Sequence, residues 1–418
     1  MTPRWQARTL LDAPYRLCFF WAGAQWVGSA LWWWAALALG IATPAVPVVT
    51  LHALWFGLGA MPLFIAGFLL TAGPKWVQAP EVDAAQLRLG VAAFSAGWPL
   101  AWLGATFDLR LAAAGLLAAA AGLGVLAWRA AALLRQSTRA DVLHPRLITA
   151  SLGLMAVALA ASAAAALTQQ WVWLAALARA ALWWGPVAVF ITASHRMLPF
   201  LGYGFWPALD ARFPLWPLWL LLSAPAAQGA LTLALVLAGG VSSMPAWLAA
   251  AEAIHLALVG VASAALTLRW LGAPALRAPL VRMLHVAALW WPLALFLLAA
   301  AAWPSLRPDL AHALQMAGLH ALTLGYLGAT LLTMVTRVVA THQGRPQAID
   351  RLAVLLFALL QFAALARIAA SLWPGSSATL LPAAGLLWLG VAAAWWLRHG
   401  RWLGQAPARR QARARARS

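Results

Sequence analysis

Leu51-His52-Ala53-Leu54-Trp55-Phe56-Gly57-Leu58-Gly59-Ala60-Met61-Pro62-Leu63-Phe64-Ile65-Ala66-Gly67-Phe68-Leu69-Leu70 runs without a formal charge and stays apolar until Lys75. A hydrocarbon core about 30 Å thick takes about 20 such residues in helical form, so the stretch reads as a membrane span. Its opening tetrapeptide returns at Leu319-His320-Ala321-Leu322, again inside a long apolar run. In both copies a glycine stands five residues beyond the histidine, Gly57 and Gly325. An imidazole in hydrocarbon is expensive and marks a candidate functional site.

The rest of the chain repeats the pattern. It is 64% hydrophobic and 9% charged, and its mean hydropathy is +0.82; a soluble domain of 418 residues could not cover that much apolar surface. The expected fold is all-α, a polytopic membrane bundle of about twelve helices. The segments lie near 17–40, 48–73, 87–106, 111–134, 147–168, 171–194, 214–240, 245–268, 280–302, 311–337, 351–373 and 379–398. The chain reads as one membrane domain over 1–418, with a basic N-terminus at 1–16 and an arginine-rich tail at 401–418. The first segment, rich in tryptophan, reads as a retained span rather than a cleaved leader. The longest interruption, Arg196–Leu215, suits an interfacial loop or a short amphipathic helix.

Charge distribution orients the bundle. Lys75, Arg88, Arg135, Arg139, Arg146, Arg196, Arg212, Arg269, Arg277, Arg282, Arg345 and Arg351 fall in the even connectors, while the odd ones carry only Arg110 and Arg307. The positive-inside pattern places both termini in the cytoplasm. It also accounts for the net charge of +19, which shows no groove-reading module for nucleic acid. The lipid bilayer is the partner this composition implies. Cys18 is the only cysteine, so neither an intramolecular disulfide nor a thiolate cluster is expected. The Ala-rich stretches at 111–120 and 156–166 suit close helix packing.

Of nine histidines, His52, His255, His285 and His320 fall within spans. If the span count holds, the second and tenth spans run parallel, and His52 and His320 sit in their outer halves. Two such imidazoles suggest a flat cofactor held between rings, with Gly57 and Gly325 opening the gap; haem is the first to consider. The bland alternative is two packing histidines hydrogen-bonded to backbone or hydroxyl. Glu252 and His255, spaced i, i+3, share a helix face and suit metal or proton binding, or a hydrogen-bonded pair. His285 enters its span near the inner surface and joins His195, Arg196, Arg337, His342 and Arg345 in a cationic inner group. No Walker loop, dinucleotide fingerprint, covalent haem motif or nucleophilic triad is present. Any haem is then expected to be held non-covalently, with b type the first to consider.

Four blocks resemble the NnrS family of haem- and copper-containing bacterial membrane proteins. They are His52 with Gly67-Phe68-Leu69-Leu70-Thr71-Ala72-Gly73-Pro74-Lys75-Trp76, Arg196-Met197-Leu198-Pro199-Phe200, Leu284-His285 followed by Trp290 and Pro292, and His320-Ala321-Leu322-Thr323 with Gly325. The last block continues into Met334-Val335-Thr336-Arg337 and His342-Gln343-Gly344-Arg345. Leu54 and Trp55 stand where the family's second span carries His-Glu. The resemblance implies haem, with copper as a further metal, and a role in nitric oxide metabolism or nitrosative-stress resistance at the bacterial inner membrane. Nitric oxide or another small diatomic is then the expected ligand, and the electron-transfer partner is left open. A more distant likeness is to the haem–copper oxidase core, whose haem ligands also lie on the second and tenth spans. The three copper histidines of its sixth and seventh spans have no counterparts here, which disfavours that catalysis. Two other readings stay open: a secondary transporter or channel for a small anion using Arg179, Arg337 and Arg367, and a haem or copper assembly factor for a reductase.

Overall fold

The computed structural model describes residues 4–202, 214–240, 244–270, 277–345 and 349–406. Most of the Arg196–Leu215 interruption and of the arginine-rich tail lies outside the described residues. Among those described, every regular element is helical, and each of the twelve apolar segments forms helix. In chain order they are α1 (Pro14–Leu39), α2 (Val48–Leu58), α3 (Met61–Val77), α4 (Arg88–Phe107), α5 (Leu109–Arg135), α6 (Leu143–Leu167) and α7 (Trp171–Leu182). They continue with α8 (Ala188–Gly202), α9 (Trp216–Leu237), α10 (Ala246–Arg269), α11 (Pro279–Ala301), α12 (Pro308–His320), α13 (Ala329–His342), α14 (Arg351–Leu372) and α15 (Ser377–Leu403). Among the described residues, ten continuous or broken helical runs are long and apolar enough to cross a membrane. The tryptophan-rich α1 and glycine-rich α4 fall outside that set, because neither residue adds much to hydropathy.

Three of the spans are broken. Val48–Val77 divides at Gly59-Ala60, just before Pro62. Proline lacks an N–H, and its ring collides with the carbonyl four residues back, here Leu58, where α2 ends. Pro186 acts alike: α7 ends four residues earlier at Leu182, a π-helical turn Trp183–Val187 follows, and Gly185 is non-helical at φ −96°, ψ −105°. The third break has no proline. His320 ends α12, and an eight-residue π-helix, Ala321–Gly328, joins it to α13.

The chain forms two compact units. The first comprises Met1–Val189, Val338–Pro346 and Ala392–Ser418; the second, Phe190–Arg337 and Gln347–Val391.

In the first unit, α4 and α5 make an extensive antiparallel contact. Gly90, Gly97 and Gly104 recur every seven residues on α4 and meet Gly115, Gly122 and Ala112 of α5 so closely that a Cβ would collide with backbone. Lipid tails are as apolar as the side chains, so such close van der Waals packing replaces the hydrophobic drive. A polar tie crosses three helices: Trp55 donates to Gln25 Oε1 at 3.1 Å, and Gln25 donates to the Ser95 carbonyl at 2.6 Å. The Gly67–Lys75 block seats α1. Gly67 faces Cys18 and Phe19, and Thr71 Oγ1 accepts from the Tyr15 amide at 2.9 Å.

The end of α15 is closed by distant segments of the same unit. Arg16, 3% exposed, donates to the carbonyls of Leu403 (2.5 Å) and Gln405 (2.9 Å). Gln343 donates to Trp402 at 2.5 Å, and the Gln6 amide to Gly404 at 2.8 Å. A guanidinium at a helix C-terminus meets the negative end of the macrodipole and satisfies carbonyls that lack intrahelical donors.

In the second unit, α11 packs on α10 and α12 and against the π-helix, while α14 packs on α12 and the π-helix. These contacts assemble the site described next.

Candidate functional site

Runs of π-helix are uncommon and concentrate at functional sites. The Ala321–Gly328 segment begins directly after one repeated histidine and carries the glycine of the same motif. His320 Nδ1 lies 2.8 Å from the Met316 carbonyl. A carbonyl only accepts, so Nδ1 carries the hydrogen and Nε2 holds a lone pair. The bond alone is not distinctive: His285, His342 and His399 each make it to the residue four back, at 2.8, 2.9 and 2.9 Å. What sets His320 apart is its place at the head of the π-helix with Arg367 close by. Its Nε2 has no hydrogen-bond partner among the described residues, whereas His285 Nε2 lies 3.3 Å from the Trp270 carbonyl.

In the second unit a cation lies near His320, and an indole closes the face of Gly325. Arg367 on α14 is within electrostatic reach of the ring and donates to Ser371 Oγ at 2.6 Å. Trp290 on α11 donates to Gln361 Oε1 at 2.7 Å, and its indole lies against the backbone at Gly325, where any Cβ would collide with it. The Gly325 face is thus filled by tryptophan. Gly328 likewise faces the Trp388 ring.

Hydroxyl groups gather on another side of α11. Ser194 Oγ and Tyr326 Oη are 3.1 Å apart. Trp291 donates to Ser263 Oγ at 2.9 Å, and Ser263 donates to the Val259 carbonyl at 2.6 Å. These groups and Thr267 line a cavity with an empty volume of about 320 Å³, part of it open, whose apolar walls include Ile191, Leu198 and Ala288.

The other residues singled out in the sequence are distributed as follows. His52 on α2, in the first unit, stacks on Trp33 at 3.8 Å between ring centroids and 21° between planes, with Phe56 at 4.3 Å. Gly57 is buried, and a Cβ there would meet Leu182 Cδ1 at 3.9 Å, an ordinary van der Waals contact. Glu252 and His255 take separate partners on α9: Gln228 donates to Glu252 at 2.6 Å, and His255 Nε2 is 2.9 Å from Ser223 Oγ. His195 and His285 meet around Trp270; the His195 and Trp270 ring centroids are 6.4 Å apart, and Arg196 follows on α8. Arg337 closes the second unit's stretch and is partly buried, with no hydrogen bond or ion pair among the described residues. His342 and Arg345 belong to the first unit, where His342 packs on Tyr15 at 4.6 Å and Arg345 lies over Trp402 at 4.6 Å. The inner group inferred from sequence is therefore shared between two units.

Sequence reasoning missed Tyr326, Ser194, Ser263, Thr267, Gln361 and the role of Trp290 at Gly325. A signal existed for the first: Tyr326 is one of three tyrosines in the chain and sits inside an apolar run beside Gly325. The serine and threonine were masked by the habit of such residues to bond their own helix carbonyls.

Among the described residues no group of three or more His, Cys, Asp or Glu side chains stands together to hold a metal ion. A haem needs less from the protein, because the porphyrin supplies four of the iron donors and one imidazole suffices as axial ligand. His320, with Nδ1 fixed and Nε2 uncommitted, has the chemistry for that position, and Arg367 offers the charge a propionate requires.

The family model described as NnrS protein matches residues 9–406. No curated protein and no solved structure matches the chain.

Proposed function

Because this chain belongs to the NnrS family, we propose that it is a haem b protein of the bacterial inner membrane that acts in the response to nitric oxide, with His320 as the residue that would hold the iron. The family is linked to that response, and ten helical runs suited to crossing a membrane fit the location. The observation that carries the ligand assignment is the uncommitted Nε2 of His320 beside a π-helix.

The bound haem would supply an iron centre at which nitric oxide coordinates. This chain's own residues hold and tune it. The Met316 carbonyl fixes the His320 tautomer and raises the basicity of Nε2. Arg367, held by Ser371, would pair with a propionate carboxylate. The Trp290–Gln361 bond keeps an indole over the Gly325 backbone and excludes water there. Copper has no comparable donor set among the described residues and stays outside this reading. Both termini are assigned to the cytoplasm on the arginine bias of the connectors.

An absorption spectrum of the purified full chain tests the proposal. A Soret band is expected, lost or converted to a high-spin form in His320→Ala and restored in part by added imidazole. His312→Ala, at an exposed position, should leave it unchanged. A folded His320→Ala protein with an unaltered Soret band overturns the assignment.

A further inference from the structure

The hydroxyl-lined cavity of the second unit has an incomplete hydrogen-bond balance. Ser194 and Tyr326 each carry one hydroxyl hydrogen and share one hydrogen bond, at 3.1 Å. Whichever of the two donates, the other hydroxyl hydrogen has no acceptor among the described residues. Thr267 is buried, lines the cavity, and has no hydrogen-bond partner among the described residues. Ser263 differs: it already donates to Val259 and accepts from Trp291. Two O–H donors thus face one partly open cavity whose apolar walls, Ile191, Leu198, Leu221, Leu266 and Ala288, offer them no side-chain acceptor. A donor left unmade in such surroundings carries a desolvation penalty that a bound acceptor removes.

We infer that this cavity binds one small uncharged hydrogen-bond acceptor, seated between the Ser194–Tyr326 pair and Thr267. Its centre has room for a molecule of about the size of one water. Among the described residues no charged side chain lines it, so an ion is not the occupant this chemistry selects. Trp291, whose ring centroid is 5.6 Å from that of Tyr326, and Phe190, at 6.4 Å, hold the phenol in place. Two sources share the required chemistry: water, and a dissolved nitrogen oxide of two or three atoms. The nitrogen-oxide source rests on the function proposed above; the water source does not.

The chain contains three tyrosines, Tyr15, Tyr203 and Tyr326, so fluorotyrosine labelling gives a readable fluorine NMR spectrum. The full-chain protein would be labelled and reconstituted in lipid nanodiscs, with Tyr326→Phe assigning the resonance. Nitrous oxide under pressure is the probe, with argon as reference. A shift of the Tyr326 line under nitrous oxide, with Tyr15 unmoved and the response abolished by Thr267→Leu, assigns the cavity to the nitrogen oxide. Cross-relaxation from water to Tyr326 that Thr267→Leu removes, without any nitrous oxide shift, assigns it to water. Thr267→Val, which removes the hydroxyl and keeps the shape, should weaken either response. Absence of both responses overturns the inference. The absorption spectrum of the same sample separates the two readings: a Soret band with a silent Tyr326 sinks only the cavity, and a responsive Tyr326 without a Soret band sinks only the haem.

Discussion

Trp290 donates its indole N–H to Gln361 Oε1 at 2.7 Å and lays its ring on the backbone at Gly325, joining α11, α14 and the π-helix at one point. Gly325 is therefore required by contact, since any Cβ would overlap the indole. Gly325→Ala should lower stability by about 1–3 kcal/mol, the usual cost of overpacking. Combining it with Trp290→Leu should recover part of that loss. Thermal unfolding in detergent, run as a double-mutant cycle, reads the coupling; strict additivity would contradict the contact.

The α4–α5 interface makes a prediction with an internal control. Gly104→Leu pushes a side chain into the Ala112 backbone and should abolish accumulation in the membrane. Gly124 on α5 has no heavy atom within 4 Å of its Cβ position, so Gly124→Leu should accumulate normally. Immunoblots of membrane fractions distinguish the two. Equal levels would mean that α4 and α5 do not approach as described.

Arg16 has a structural role that its charge alone does not suggest. It is 3% exposed and bonded to the carbonyls of Leu403 and Gln405. Hydrogen bonds from a charged donor contribute about 1.5–3 kcal/mol, so Arg16→Met should lower stability by at least that order. Gln343→Leu should cost less, since its donor is neutral. Removing residues after Trp402 should make Arg16→Met nearly neutral. Differential scanning fluorimetry of the single and combined variants checks all three.

His342 sits on Tyr15 and its Nδ1 lies on the Val338 carbonyl, with the side chain exposed. His342→Ala should therefore keep haem content while lowering survival of cells under nitric oxide. Loss of haem from well-folded protein would move the iron site toward this connector.

Topology follows from connector charge. Reporter fusions after Thr43 and Ser376 should report the outside, and a fusion after Arg139 the inside. Opposite signals at two of the three positions would reject the orientation.

The sequence by itself determined the twelve helical segments, because hydrocarbon permits only backbone that satisfies its own hydrogen bonds, and apolar runs of the right length announce it. Pro62 and Pro186 stand at two breaks, yet Pro99, Pro225 and Pro292 lie inside continuous helices, so the sequence did not say which prolines would break a span. His320 was legible as a polar residue where polarity is costly. The sequence could not say which imidazole nitrogen stays uncommitted, because that depends on where the Met316 carbonyl points and on what α11 and α14 bring near. The π-helix after His320 was equally hidden; it contains no proline, and the Trp290 ring that lies on it comes from a different helix. The same holds for the hydroxyl cavity, whose Ser194, Ser263, Thr267 and Tyr326 are scattered over three helical spans and meet only when those helices pack. Periodicity and composition record what each segment must bury, but the pairing of side chains across helices is decided by packing, to which no local pattern commits.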